Sequence, residues 1–305
     1  MKRTYLLIAI AFLVTTSGLA ASSRESIVVD ATWLKAHLQD PNLVLLHVGD
    51  KKEYEANHIP GARLAAQQDV SVSEHTPKTG LMLEMPAAEK LREQLEALGI
   101  SDDSRVVVYY GKDWVSPSTR IIFTLDYAGL GKQTSILDGG MPAWIRSGGT
   151  VTAEVPTARK GKLSPLVTQP IIADAEFVKA NLTKPGFKVI DGRAAVYYDG
   201  IETGGMHERD RTGHIAGAGS VPFTSIVDDS NVLRSPAEFE ALFTKAGVKR
   251  GDTVIGYCHI GQQATAMLFA ARTLGHKVML YDGSFQDWSR REGYPVENPS
   301  EKASH

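Results

Sequence analysis

The sequence predicts an α/β protein of two tandem domains, each an open parallel sheet with helices on both faces. Two observations predict it. First, the chain repeats itself. His58-Ile59-Pro60-Gly61-Ala62 returns as His214-Ile215-Ala216-Gly217-Ala218, and residues 106–111 return as 253–258. Leu137-Asp138-Gly139-Gly140-Met141-Pro142-Ala143-Trp144 returns as Tyr281-Asp282-Gly283-Ser284-Phe285-Gln286-Asp287-Trp288. The pairs keep their order at offsets of 156, 147 and 144 residues, a signature of duplication. Second, short apolar runs alternate with helical periods in each half. Strands alternating with helices build a parallel sheet covered on both faces.

Taken in order, residues 1–20 read as a targeting segment and are excluded from the fold. Lys2 and Arg3 are its basic start, Leu6 to Val14 its apolar centre, and Gly18 and Ala20 the small residues before a cut after Ala20. The apolar run is too short for a membrane span. The first domain covers 21–157, with strands expected over 43–48, 105–110 and 134–137 and helices over 87–98 and 119–127. A linker over 150–170 carries Pro156, Pro165 and Pro170, and the boundary is placed near Ala158. The second domain covers 158–305, with strands over 188–190, 253–257 and 277–281 and helices over 237–245 and 264–274, the last closed by Gly275.

Charge narrows the partners. The chain has 33 Lys and Arg against 35 Asp and Glu, and loss of Lys2 and Arg3 takes the net charge from −2 to −4. That excludes nucleic acid and an anionic membrane surface as partners. Small molecules remain. A cleaved leader places the protein in the periplasm or outside the cell. Cys258 is the single cysteine, so no internal disulfide can form and the core alone must hold the fold. A free thiol kept in an oxidising compartment points to use.

Cys258 follows the apolar run Thr253-Val254-Ile255-Gly256-Tyr257 and precedes the helix-forming run from Ala264. Ligands bind at the carboxyl ends of strands in open parallel sheets. There a turn's N–H groups and a helix start favour a thiolate. The N–H groups from His259 to Ala264 can form an anion nest, with Gly261 at the tight bend. The alternative is a small buried hydrophobe, which free cysteine often is. Cysteine phosphatases use a similar loop but need an arginine six positions after the cysteine, where Ala264 stands here. No C-x-x-C or H-E-x-x-H occurs, so no metal is expected.

The paired His-Ile-x-Gly-Ala segments, the Cys258 loop of pattern C-x-x-G-x-x-A and the Asp-Gly…Trp endings together resemble tandem-domain rhodaneses, the thiosulfate and 3-mercaptopyruvate sulfurtransferases. The resemblance covers nearly the whole chain after residue 20. It implies that Cys258 carries sulfane sulfur as a persulfide, without a cofactor, and that the first domain is a degenerate copy covering one side of the site. Gly111 is expected where that domain's cysteine would be. The donor would be thiosulfate or 3-mercaptopyruvate, and the acceptor cyanide, another thiophile or a protein that takes the sulfur.

The site residues follow from the same resemblance. His259, Ile260, Gly261, Gln262, Gln263 and Ala264 would surround the sulfur. His259 is either a cation facing an anionic donor or a solvated loop residue. His259-Ile260 matches neither the basic loop of thiosulfate members nor the small neutral loop of mercaptopyruvate members. Asp191 and Arg193 match a pair that steadies the region, with His47 and Gly49 at their places in the first half. Tyr197 stands where tandem members carry a donor-binding arginine, and Arg209 or Arg211 in the long loop 198–212 could substitute. Trp33 matches a tryptophan near the interdomain cleft and reads as core or interface packing. Trp144, Trp288, His58 and His214 read as structural.

Overall fold

The computed structural model describes residues 24–72, 80–112, 114–157, 159–204 and 211–302. The leader 1–20, Ala158 and Arg209 lie outside the described residues. Each half forms a five-stranded, all-parallel sheet. The first is ordered β1-β5-β4-β2-β3, from β1 (Val28–Val29), β2 (Leu43–Val48), β3 (Arg63–Leu64), β4 (Arg105–Tyr110) and β5 (Thr134–Leu137). The second is ordered β6-β11-β10-β7-β9, from β6 (Ile172–Ala173), β7 (Phe187–Asp191), β9 (Gly219–Ser220), β10 (Thr253–Tyr257) and β11 (Lys277–Tyr281). A small antiparallel pair, β8 (His214–Ile215) with β12 (Val296–Glu297), lies beside it.

The halves repeat down to their caps. Asp30 caps the helix Ala31–His37 by accepting from Trp33 N–H, and Asp174 caps Ala175–Asn181 by accepting from Phe177 N–H. Such caps satisfy donors that a helix start leaves open. The rings of Tyr54 and His58 stack at 4.1 Å, and those of Tyr198 and His214 at 3.7 Å. In both halves the histidine Nδ1 meets the tyrosine carbonyl. His58 and His214 are therefore structural in both domains.

Side chains of the central strands point alternately to two cores. Val106, Val108 and Tyr110 of β4 enter one shared core with Val254 of β10 and Cys258. Val107 and Tyr109 face a core private to the first half, with Trp144. Ile255 and Tyr257 face one private to the second, with Trp288. The helices Val115–Tyr127 and Ala264–Thr273 fill the shared core. Ten of 13 and nine of ten of their residues are buried, so both helices lie enclosed on nearly every face. The two halves are thus welded through one continuous hydrophobic core.

One expectation changes. The boundary near Ala158 falls inside a strap that stays with the first half: Gly161 N–H donates to Glu96 O, Leu163 is buried, and Gln169 N–H donates to Tyr127 O. Trp33 packs on the private core of the first half, stacked on His37 at 3.9 Å with Arg105 over its face. This is the core packing read from the sequence, on the private rather than the shared core.

His47 lies on β2 at 1 % exposure with neither ring nitrogen hydrogen-bonded among the described residues. Burial, and then the charge of His58, lower its pKa to about 4. The unfolded chain takes up the proton near 6.5, so this stability is whole above that pH and is lost as pH falls toward 4. Urea midpoints should drop across that window. The His47→Phe variant should lack a share of the drop of order 3 kcal/mol. An unchanged pH dependence in the variant would refute this role.

Candidate active site

Cys258 directly follows β10, the central strand of the second sheet, and is 1 % exposed. Its own N–H donates to Ser284 Oγ at 3.2 Å, and its carbonyl accepts from Phe285 N–H. The loop then bends through Gly261 at φ +83° into the helix Ala264–Thr273. A Cβ at Gly261 would lie 3.0 Å from Arg120 Nη1 and from Asp282 O, so both conformation and space call for glycine. The N–H groups of residues 259–263 donate to no acceptor among the described residues. The buried-hydrophobe reading is thus half right: the sulfur faces the shared core, but the loop around it keeps unpaired donors.

Asp191 ends β7 beside Tyr257 and is fully buried. Arg193 grips it through Nε at 3.0 Å and Nη2 at 2.6 Å, and also donates to Gly213 O. Its guanidinium lies 4.2 Å from the centre of the Phe285 ring. Burial alone would lower the Arg193 pKa, but Asp191, with a smaller pull from Cys258, lifts it above its ordinary value. The guanidinium is therefore held as a buried, charge-paired brace at the end of β7.

His259 fits neither alternative drawn from the sequence. Its ring is half-buried and meets Tyr197 edge-on at 4.6 Å. A Cβ at Gly204 would lie 2.4 Å from its Cε1. Burial first and Arg193 second lower its pKa to about 4, so it is neutral near pH 7. Tyr197, in the short helix Ala195–Tyr198, serves here as packing for that ring. Arg211 does not supply the missing cation. Its guanidinium is spent on the carbonyls of Trp288, Ser289, Arg291 and Tyr294. Ile260, Gln262 and Gln263 are half-buried in the loop, and Ala264 is buried at the helix start.

The residue in register with Cys258 is Tyr110, not Gly111. Ile59 N–H donates to Tyr109 Oη as Ile215 N–H donates to Tyr257 Oη. The pairs His47↔Tyr109 and Asp191↔Tyr257 agree. The same register confirms His47 and Gly49 as partners of Asp191 and Arg193. Tyr110 fills its side of the seam and donates to Asn231 O. Gly140 makes room for it: a Cβ there would lie 2.5 Å from Tyr110 O. The repeat mate of Gly140 is Ser284, at φ 51° beside Cys258. Serine there is strained, and its bonds to Cys258 N–H and Tyr281 O hold it. The mismatch of Gly140 with Ser284 in the two Asp-Gly motifs was the signal available in the sequence.

Arg120 carried no signal. It lies within the first half's seam helix at 1 % exposure. Its Nη1 donates to Gly261 O and Asp282 Oδ1, both at 3.0 Å, and Nη2 to Leu83 O. Asp282 also accepts from Met85 N–H at 2.7 Å, and Gln286 accepts from Met82 N–H. Hence the first half clamps the bend of the thiol loop and lays residues 82–85 across it. Among the described residues no group of His, Cys, Asp and Glu could hold a metal ion, and no helix is long and apolar enough to cross a membrane.

Breaking a buried ion pair on one side strands the other charge. Arg120→Met is expected to cost about 3–5 kcal/mol in urea unfolding; a loss under about 1 kcal/mol would show that the clamp does not hold the seam. A proton NMR titration should place the His259 midpoint near pH 4. A midpoint between 6 and 7 would contradict the packed, neutral ring.

Comparison with known proteins agrees with this architecture. The family model described as "Rhodanese-like domain" matches residues 30–147 and again 174–291. The chain is 29 % identical to a thiosulfate sulfurtransferase of Rattus norvegicus over 92 % of both chains. It is 28 % identical to the sulfur carrier protein TtuD of Thermus thermophilus, covering 90 % of this chain and 97 % of the relative. It is 27 % identical to the mitochondrial thiosulfate/3-mercaptopyruvate sulfurtransferase 1 of Arabidopsis thaliana, over 93 % and 82 %. The anaerobic ergothioneine biosynthesis enzyme of Chlorobium limicola shares the fold at TM-score 0.78 and 21 % identity, over 90 % and 71 %. With both halves matched in sequence and built alike, the chain belongs to the rhodanese family, as two rhodanese-like domains in tandem.

Proposed function

We propose that this protein is an exported sulfurtransferase that moves a sulfane sulfur from thiosulfate to a thiophilic acceptor such as cyanide. The observation that carries the reading is the Cys258 loop at the end of β10, whose N–H groups at 259–263 have no acceptor among the described residues. The Cys258 thiolate attacks the outer sulfur of thiosulfate. A new S–S bond forms, the bond to the sulfonate sulfur breaks, and sulfite leaves with the electron pair. The persulfide anion is then held by the loop N–H groups, as an oxyanion is held elsewhere. Cyanide attacks its outer sulfur, the S–S bond breaks, and thiocyanate leaves as the thiolate returns. No cofactor enters, because the cysteine is the carrier.

Relatives named for thiosulfate and for 3-mercaptopyruvate support this class of reaction, and export rests on the leader read in residues 1–20. Within this proposal the second half carries the chemistry, and the first half supports it through Arg120. The second reading is a persulfide carrier that serves a dedicated protein, in line with the relative named as a sulfur carrier. Tyr197, without charge at the donor position, and the spent guanidinium of Arg211 favour it.

Intact mass after exposure to thiosulfate, with and without cyanide, tests the cycle. The expected result is a gain of one sulfur that cyanide removes and that Cys258→Ser lacks. A sulfur gain in the serine variant would overturn the assignment. Steady-state rates should favour thiosulfate over 3-mercaptopyruvate, and the reverse preference would replace the donor. Fast loading with negligible cyanide turnover would select the carrier reading.

A further inference from the structure

The sulfur loop uses one end of the second sheet. The other end carries a cavity of about 1080 Å³. Phe187, Thr253 and Lys277, the first residues of β7, β10 and β11, line it, together with Arg272 near the end of the seam helix. Cys258 lies five residues further along from Thr253, which is roughly 16 Å of extended chain. Asp126, Gly131 and Lys132 bring in the first half, and the strap residues Gln169 and Pro170 close one side. The cavity thus spans the domain seam but is separate from the thiol.

Its chemistry is two-sided. Ile171, Ile172, Phe177, Phe187, Val278 and Met279 form half-buried apolar walls. Lys132, Arg272 and Lys277 are its cations, and Asp126 is its one acid. Asp126 is already bound by Arg272 Nη1, whose Nη2 donates to Gly131 O at 3.2 Å. A Cβ at Gly131 would lie 1.7 Å from Asp126 Oδ1, so glycine is what lets this half-buried pair close. The lining carries a net charge of +2 on a chain whose net charge is −2. Lys132 and Lys277 are exposed. The carbonyl ends of both seam helices also face this side and disfavour an anion deep inside. An anionic head therefore belongs at the lysine rim, with an apolar body within.

We propose that this cavity binds a small amphipathic organic anion, an aliphatic or aromatic body ending in a carboxylate or sulfonate. A ligand pocket commonly has a volume of roughly 300–1,000 Å³. Thiosulfate offers no apolar body to fill such walls, so this occupant is chemically distinct from the sulfur donor. The site does not depend on the assignment of Cys258.

The test is calorimetric titration of the whole protein with decanoate, and with decyltrimethylammonium as the tail-matched cation, both below their micelle concentrations. Decanoate should bind with saturation at one site and the cation should bind far more weakly. The Lys132→Glu/Lys277→Glu variant, with unchanged circular dichroism, should lose decanoate affinity by about tenfold, as two exposed charge contacts allow. Binding by Cys258→Ser should match the parent. Equal binding of both amphiphiles, decanoate affinity unchanged in the lysine variant, or no saturable binding would each overturn the proposal.

Discussion

A single guanidinium ties the thiol loop to the other half of the molecule. Arg120 comes from the first domain, is buried to 1 %, and ends on Gly261 O, Asp282 Oδ1 and Leu83 O. Moving such a charge out of water costs several kcal/mol unless its donors are met. Asp282 and two carbonyls meet the outer donors, and only Nε remains without a partner among the described residues. The loop bend, the start of the second Asp-Gly motif and residues 82–85 can all relax only if this charge is stranded. The apolar weld between the helices Val115–Tyr127 and Ala264–Thr273 supplies the bulk of the association. Arg120 supplies its direction.

Duplication explains how one half kept a reactive-looking loop and the other lost it. Substitutions in register separate them: Tyr110 opposite Cys258, Gly140 opposite Ser284, and His47 and Gly49 opposite Asp191 and Arg193. In the first half an aromatic ring occupies the seam and glycine clears its path. In the second a small sulfur occupies the same place, and the serine hydroxyl takes the Cys258 N–H. The remaining frame, with its capping aspartates, Tyr–His stacks and strand order, is the same in both. The first half meets the second through Arg120 and residues 82–85.

Much of this was legible in the sequence because the repeat fixes order and the strands are short apolar runs. The expected strands over 43–48, 105–110, 134–137, 253–257 and 277–281 match the observed ones. The two-residue edge strands carry too little pattern to be read. The placement of Gly111 failed by one residue for a physical reason. Residues 106–110 are buried on both faces, so no alternation marks the register, and a one-residue slip costs nothing in the pattern. Arg120 was hidden because its partners lie 141 and 162 residues away. Arg211 looked available because a loop arginine reads the same whether it meets solvent or four carbonyls. The neutrality of His259 comes from burial and from Arg193, neither of which its neighbours in sequence reveal.

In the proposed cycle the N–H groups of residues 259–263 hold a sulfur anion on Cys258. A crystal structure of the protein exposed to thiosulfate tests it most directly. The expected result is one extra sulfur bonded to Cys258 Sγ, within hydrogen-bond distance of at least two of those N–H groups. Added sulfur that points away from the loop, with its donors paired to protein or water instead, would contradict it.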